Sequence, residues 1–582
     1  MVILAKLACA WIFIETCFCF VYFLHLKPIA KDVSKKRSQP YRDYNQQDSV
    51  SPHHRHRQLH RQRHLYFLRI LERLVTISKI QNTCFKDDFD VFIKRWFSFA
   101  GDEQEQEHDQ EQENHNSTLT DHSTSTSSLS ECINPTTTTS TSTIASTRSD
   151  SRKAIDYEGM TRFFSWAFFD KMFHHLETWE LKELDIMMNI LRDKHGVIYP
   201  KRKPIETNTY SRTCSDGEEK KEHDHYQQQQ QQKEKEQQQQ QCWGTPRCHS
   251  LEEGNPMYRP FLFYAIVSFL RIVVAYSILR YLGYRRFYAR CPSGKSLPYW
   301  YRPGSGSGHE HLRLHSHSHT TANKNVKKNT STNPVLFFHG IAPAGLACYL
   351  PLLINCLHAH GQRTISPVFL FENLPITYYL SFDALSEEET VYAVEHALLA
   401  HGFHKDNCDL SLFGHSFGSF QMTWLLHAVN IKPMIQKLVL LDPVSILLSH
   451  PDVLVNFIYG GGDGDGRGTE NGITNTIIRV AASSEMFIQH YLRRNFAWYN
   501  SELWIEDIPD HTNVHVFLSE NDSIIDAKEV RKELKRHQHK NEHKRKSIHY
   551  TFWEGHGHGD CLSNSALWCE VSKALNGYDK FD

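Results

Sequence analysis

Within the stretch LSLFGHSFGSF (410–420), an apolar run gives way to Gly414-His415-Ser416-Phe417-Gly418, a serine with a glycine two residues to either side. A serine hydroxyl is a weak nucleophile until a neighbouring imidazole takes its proton. Gly414 and Gly418 provide the small residues that a sharp strand-to-helix turn needs if Ser416 Oγ is to stand exposed, the arrangement called a nucleophile elbow. Gly and Ser are common, so the five-residue pattern carries weight only through what surrounds it.

The partners such a serine requires follow it in order. Asp522 lies in FLSENDSIID, at the end of one apolar run, and His556 and His558 lie in WEGHGHGDCL, at the end of another. An imidazole would act as the base, and a carboxylate would orient it and stabilise its charged form. His558 takes the place of the base, with His556 the alternative; Asp522 takes that of the acid, with Asp442 of LLDP the alternative. Upstream, PVLFFHG ends in His339-Gly340. The next amide, that of Ile341, would pair with the amide of Phe417 as an oxyanion hole. The His339 side chain is read as structural.

These residues need elements to hold them. Short apolar runs at 334–340, 367–373, 437–443, 513–522 and 547–559, with CDLSLFGHS before the elbow, read as buried strands. Between and after them, 387–403, 418–429 and SNSALWCEVSKAL read as helices, the first with acidic residues at its start and Gly402 as its stop. Strands alternating with helices imply a mostly parallel sheet covered on both faces. About 80 residues separate Asp442 from Asp522, more than one crossover needs. Their apolar, aromatic content (ILLSHPDVLVNFIY, MFIQHYLRRNFAWYNSELW) predicts a cap at about 443–512.

From "FFHGIAPAG", "GHSFGSFQMTW", "LVLLDPVSILLSHPDVLVNFIYG", "FLSENDSIID" and "GHGHGDCL", the sequence resembles the α/β-hydrolase superfamily, in its lipase- and esterase-like branch with a membrane-associated N-terminal extension. The resemblance covers about 335–575 and, more weakly, RPFLFYAI through LPYWYRP. It implies an α/β-hydrolase fold, a Ser416-Asp522-His558 triad and a serine hydrolase of carboxylic esters. An acyltransferase using the same acyl-serine, or a non-catalytic scaffold, are the alternatives. His-Gly-Ile-Ala-Pro departs from the lipase HGGG pattern, but Ile341 remains the natural donor. An epoxide or haloalkane hydrolase would carry Asp where Ser416 stands.

The N-terminal half reads differently. LACAWIFIETCFCFVYFLHL (7–26) has Glu15 as its one acidic residue and is long enough to span a bilayer. Lys27, Lys31, Lys35, Lys36 and Arg37 follow it against Lys6 before it, which predicts a single-pass anchor (1–37) with the catalytic domain on the cytosolic side. Residues 38–151 are expected to be mostly disordered with a short helical stretch. A helical region with a low-complexity insert at 205–248 spans 152–300, a linker spans 303–333, and the hydrolase domain spans 334–582. Phe164, Phe168, Met172, Leu176 and Trp179 recur at helical spacing. RPFLFYAIVSFLRIVVAYSILRYLGYRRFYAR (259–290) is read as a helix in the membrane interface with Arg271 and Arg280 snorkelling, or as a helix buried in the soluble domain.

Composition narrows the partners. A net charge of −1 gives no argument for nucleic acid, and the basic HRHRQLHRQRHLYFLRI is read as a juxtamembrane segment drawn to anionic lipid. Fourteen cysteines without a C-x-x-C pair suggest neither a zinc ribbon nor a disulfide framework. Most of the 38 histidines fall in biased tracts, and GGGDGDGRG (460–468) lacks the residues of a Walker loop or an EF-hand. No cofactor or metal is expected. The expected partners are a lipid or ester substrate and a membrane; protein partners are unknown.

Overall fold

A computed structural model describes residues 2–32, 52–99, 153–201, 242–304, 333–358, 366–405, 408–459, 482–541 and 548–576. The basic flank at 35–37, the tract at 102–151, most of 205–248 and 303–333, and the loop at 460–468 lie outside the described residues. Those described form two compact units, one from 62–248 and the other from the rest.

The larger unit is built on an eight-stranded sheet. In chain order its strands are β1 (Arg285–Arg290), β2 (Ser296–Arg302), β3 (Val335–Phe338), β4 (Val368–Phe371), β5 (Leu410–His415), β6 (Ile435–Leu441), β7 (Asn513–Asn521) and β8 (Ile548–Gly557). In space they run 1-2-4-3-5-6-7-8. β2 is antiparallel to β1 and β4, and every other neighbouring pair is parallel. β3 to β6 are apolar along nearly their whole length because both faces are covered. Leu336 and Phe338 enter the core on one face, and Val335 and Phe337 that on the other.

This topology moves the expected boundary. The sheet begins at Arg285 rather than near 334, and the expected helical region 152–300 is divided between the two units. The Gly/Ser/His-rich insert between β2 and β3 separates the first hairpin from the strands it pairs with, so sequence reading assigned it elsewhere.

Two long apolar helices belong to the same unit. α1 (Val2–Val21) continues through a π-turn at Tyr22–Leu26 and a last helical turn at Lys27–Lys31. α2 (Phe261–Phe269) likewise continues through a π-turn at Leu270–Ala275 to Tyr276–Tyr281. Both composite helices are long and apolar enough to cross a membrane. Among the described residues the unit's other α-helices include α3 (Leu350–His358), α4 (Glu387–Ala400), α5 (Gly418–His427), α6 (Asp452–Ile458), α7 (Met486–Arg494), α8 (Ala527–Asn541) and α9 (Ser565–Asn576). A capping box starts α4: Ser386 Oγ accepts from Glu389 N and the Glu389 carboxylate accepts from Ser386 N. Such caps contribute about 1 kcal/mol.

The smaller unit packs helices Pro52–Gln81, Phe85–Lys94, Tyr157–Phe169 and Thr178–His195 around aromatic contacts such as Phe67–Phe164 and Trp96–Phe163. Within the 38–151 region, expected to be mostly disordered with a short helical stretch, a helix therefore runs for 30 residues. The helical spacing from Phe164 to Trp179 does not give one helix. Asp170 turns left-handed (φ 57°) and ends the first, and a capping box of Glu177 and Glu180 starts the next.

Candidate active site

Register brings the ends of the parallel strands together. Phe338 pairs with Gly414, Leu441 with His415 and with Phe517, and Asn521 with Gly557. The residue after β5 is Ser416, the one after β6 is Asp442, the one after β7 is Asp522, and the one after β8 is His558. Side chains that leave neighbouring parallel strands at this edge converge, which is why open α/β sheets carry their sites there.

Ser416 has φ 50°, a left-handed conformation that side-chain-bearing residues rarely adopt. Its amide donates to Leu441 O at 2.9 Å, and its carbonyl accepts from Ser419 N at 3.0 Å and Ser419 Oγ at 2.7 Å. Those bonds offset a backbone cost of order 1–3 kcal/mol. The flanking glycines are required for space, not for φ. A Cβ on Gly418 would lie 2.1 Å from Phe338 O, and one on Gly414 would lie 2.5 Å from Met422 Sδ. α5 thus starts hard against the end of β3, close behind the serine.

Ser416 Oγ lies 2.9 Å from His558 Nε2, and His558 Nδ1 lies 2.7 Å from Asp522 Oδ2. The other oxygen of Asp522 accepts from the amides of Ile524 (2.7 Å) and Ile525 (3.0 Å), which fixes the carboxylate plane. Burial alone would lower the pKa of His558. The negative Asp522, with help from Asp442 and Asp560, more than offsets it and raises the value above 6.5. His556 is not part of this chain of contacts; its Nδ1 faces Asp560 at 3.5 Å, on the partly exposed side of the loop.

Asp442 is fully buried beside these groups, close to His558 and Asp522, but its hydrogen bonds go to Ser519 and Gly559 rather than to the imidazole. It accepts from Ser519 N (2.8 Å), Ser519 Oγ (3.0 Å) and Gly559 N (3.3 Å). Burial and the nearby Asp522 charge push its pKa up to about 6. It ties β6 to β7 and to the loop carrying His558. A ring nitrogen of His415, an Asp442 oxygen and Cys561 Sγ also lie within 4.8 Å of one another, all buried. The carboxylate is already occupied by three donors, and burial holds the Cys561 thiol well above its usual range, so this group fits a polar knot better than a metal ligand set.

Sequence reading did not anticipate the support beneath the serine. Tyr349 Oη accepts from Gly340 N at 2.7 Å and lies 2.8 Å from His415 Nδ1, joining the strand end before Ile341 to the elbow. A lone Tyr in GLACYL gave no signal for this. His339 is also buried: its Nδ1 faces Gly340 O at 2.7 Å and its Nε2 accepts from Asn373 N at 3.0 Å, so burial lowers its pKa to about 4.

Ile341, Ser416 and Phe417 line one cleft. Neither the Ile341 nor the Phe417 amide donates to an acceptor among the described residues, which leaves both available to an oxyanion. The walls are apolar: Phe420 and Val444 come from the core, and Val453, Phe457, Leu492 and Phe496 from the segment between β6 and β7.

The strand order 1-2-4-3-5-6-7-8, with β2 reversed and an elbow after the fifth strand, is that of the α/β-hydrolase fold, and this chain has it. No family model matches the sequence, and no curated protein matches it. Among solved structures it is similar to an esterase of Pyrococcus furiosus at 12% identity, covering 51% of this chain and 90% of that one, with a TM-score of 0.32. A Bacillus subtilis carboxylesterase matches at 10% identity over 55% of this chain and 97% of its own, with a TM-score of 0.32. Carboxyl esterase 2 of Tuber melanosporum matches at 16% identity over 50% and 88%, with a TM-score of 0.31. The fold assignment rests on the strand order, not on these similarities.

Proposed function

We propose that the chain is a serine hydrolase of carboxylic esters, with lipid esters as its substrate class. The carrying observation is the 2.9 Å and 2.7 Å chain from Ser416 through His558 to Asp522, opening onto an apolar cleft beside two undonated amides. Ser416 Oγ attacks the ester carbonyl carbon while His558 Nε2 takes its proton. The carbonyl oxygen becomes an oxyanion held by the amides of Ile341 and Phe417. As the intermediate collapses, the carbon–oxygen bond to the alcohol breaks and His558 returns its proton to the departing oxygen. Water, deprotonated by His558, then releases the acid and restores Ser416. Throughout, Asp522 keeps Nδ1–H in place and balances the imidazolium.

The apolar cleft wall supports an acyl chain as the bound part of the substrate. α1, followed by Lys27 and Lys31, supports a membrane anchor with the catalytic unit on the cytosolic side.

Membranes from cells expressing the full-length protein are to be treated with a fluorophosphonate probe, beside Ser416→Ala, His558→Ala and His556→Ala. The proposal expects labelling of the parent, none of Ser416→Ala, little of His558→Ala and parent-like labelling of His556→Ala. A well-folded parent that resists the probe and hydrolyses no ester of any chain length would overturn it.

A further inference from the structure

α2 and its continuation to Tyr281 have the polarity of a water-facing helix turned inside out. Between Phe261 and Leu279 the sequence contains one charged residue, Arg271. In contact with water, that residue would point outward and the apolar ones inward. Here Arg271 is only 5% exposed; its Nη1 donates to Thr377 Oγ1 at 3.2 Å and its guanidinium lies over the Tyr379 ring at 5.1 Å. It belongs to the inward stripe with Tyr264, Val267, Ala275 and Leu279. The outward face consists of Leu262, Ile266, Phe269, Leu270, Ile272 and Val273, each more than 40% exposed. The snorkelling expected of Arg271 is therefore corrected; only Arg280, near the end, is exposed.

α1 repeats the arrangement. Its one charged residue in 7–26, Glu15, turns toward the protein, accepting from Tyr258 Oη (2.9 Å) and from the amides of Phe261 (2.8 Å) and Leu262 (3.4 Å). It thereby caps the start of α2, whose first amides would otherwise lack partners. Outward stand Ile12, Phe13, Phe20, Phe23 and Leu24. Ionisable groups turned inward and paired, with apolar faces outward, is the rule for helices in hydrocarbon.

We propose that α2, as well as α1, lies with its outward face in the hydrocarbon of a lipid bilayer, the two helices forming one embedded pair joined by Glu15, with Arg271 tying α2 to the segment at 377–379. The occupant of this surface is lipid: a water-facing helix has no reason to bury its central arginine, and Arg280, Arg285 and Arg290 just beyond α2 provide the cationic edge that meets anionic headgroups. The inference is independent of the esterase reading.

The test uses the unaltered full-length protein in phosphatidylcholine–phosphatidylserine vesicles doped with phosphatidylcholine carrying a diazirine on its acyl chain. Cross-linked peptides are mapped by mass spectrometry, beside samples treated with a water-soluble diazirine. The proposal expects lipid adducts on both 12–24 and 262–274, at Ile266, Phe269 and Val273, with the soluble reagent labelling neither segment. Lipid adducts on the first segment alone would sink it, as would labelling of 262–274 by the soluble reagent. Protection of 262–274 from both reagents would also overturn it, by showing protein over that face.

Discussion

At the scale of single residues, the protonation of His558 sets the pH dependence. In the proposed mechanism His558 must be neutral before it can accept the proton of Ser416, and its pKa is raised above 6.5 by the carboxylates around it. Activity is therefore lost as pH falls through that raised value, and kcat/KM against pH should show an acid limb with its midpoint above 6.5. Asp522→Asn removes the largest raising charge, so the midpoint should move down while the rate drops on the order of 10⁴-fold; an unmoved midpoint would assign the limb to another group. Asp442 is different. With its folded pKa pushed up to about 6, it binds a proton more readily folded than unfolded, so its contribution to stability falls as pH rises through that value. Asp442→Ala leaves Ser519 N, Ser519 Oγ and Gly559 N without their acceptor, at roughly 1–3 kcal/mol for each group left buried and unpaired. A lowered Tm together with a lowered kcat is expected. A lowered kcat at unchanged Tm would instead mean that Asp442 acts on the imidazole directly.

Elements set what those residues can do. Gly418→Ala would drive a Cβ onto backbone at Phe338 O, which cannot move without shifting β3, so a loss of more than about 3 kcal/mol is expected in urea unfolding. Gly414→Ala meets only the Met422 thioether, a flexible side chain, and should cost clearly less. Equal costs would contradict the packing argument. In the cap, Phe496 stands 4.8 Å from Phe420 and 5.7 Å from Phe417, ring centre to ring centre, across the cleft. Phe496→Ala should lengthen the preferred acyl chain, read as a shift in kcat/KM across a series of nitrophenyl esters; an unchanged profile would place the acyl chain elsewhere. The same elements explain what was legible beforehand. β3 to β8, the elbow and the order of Ser416, Asp522 and His558 follow from apolar runs that end in small or polar residues, a local signal. β1 and β2 were not legible, because pairing with β4 is a long-range fact and an insert of biased composition intervenes. The same holds for the contact of Tyr349 with His415, of Arg271 with Thr377 and of Glu15 with Tyr258, which join residues 66, 106 and 243 apart.

Across the whole molecule, the apolar helices and the cleft are mechanically joined. Tyr264 of α2 donates to Glu485 Oε1 at 2.8 Å, Glu485 Oε2 accepts from Ile488 N at 2.9 Å at the start of α7, and Leu492 of α7 forms cleft wall. At the other end of α7, Arg494 donates to Lys31 O (3.3 Å) and Asp32 O (3.2 Å), closing the last turn after α1, and to Ser250 O and Glu252 O (each 2.9 Å). Deleting residues 1–32 should therefore lower Tm and uncover Tyr258 and Phe261, while α2 continues to hold the protein on membranes. A truncated chain with parent-like Tm would show that α1 takes no part in holding the fold together.

The partners of Glu15 stand some 243 residues later in the chain, and Arg494 stands 463 residues beyond Lys31. At about 5–20 residues per second of synthesis, the first helix waits roughly ten to fifty seconds for the segment it caps, and about twice as long for the guanidinium that closes its end. During that interval it is held by whatever receives it from the ribosome. The first helix thus enters two assembly events far apart in synthesis, and β7 and β8, which carry the strand ends before Asp522 and His558, still have to follow the second of them.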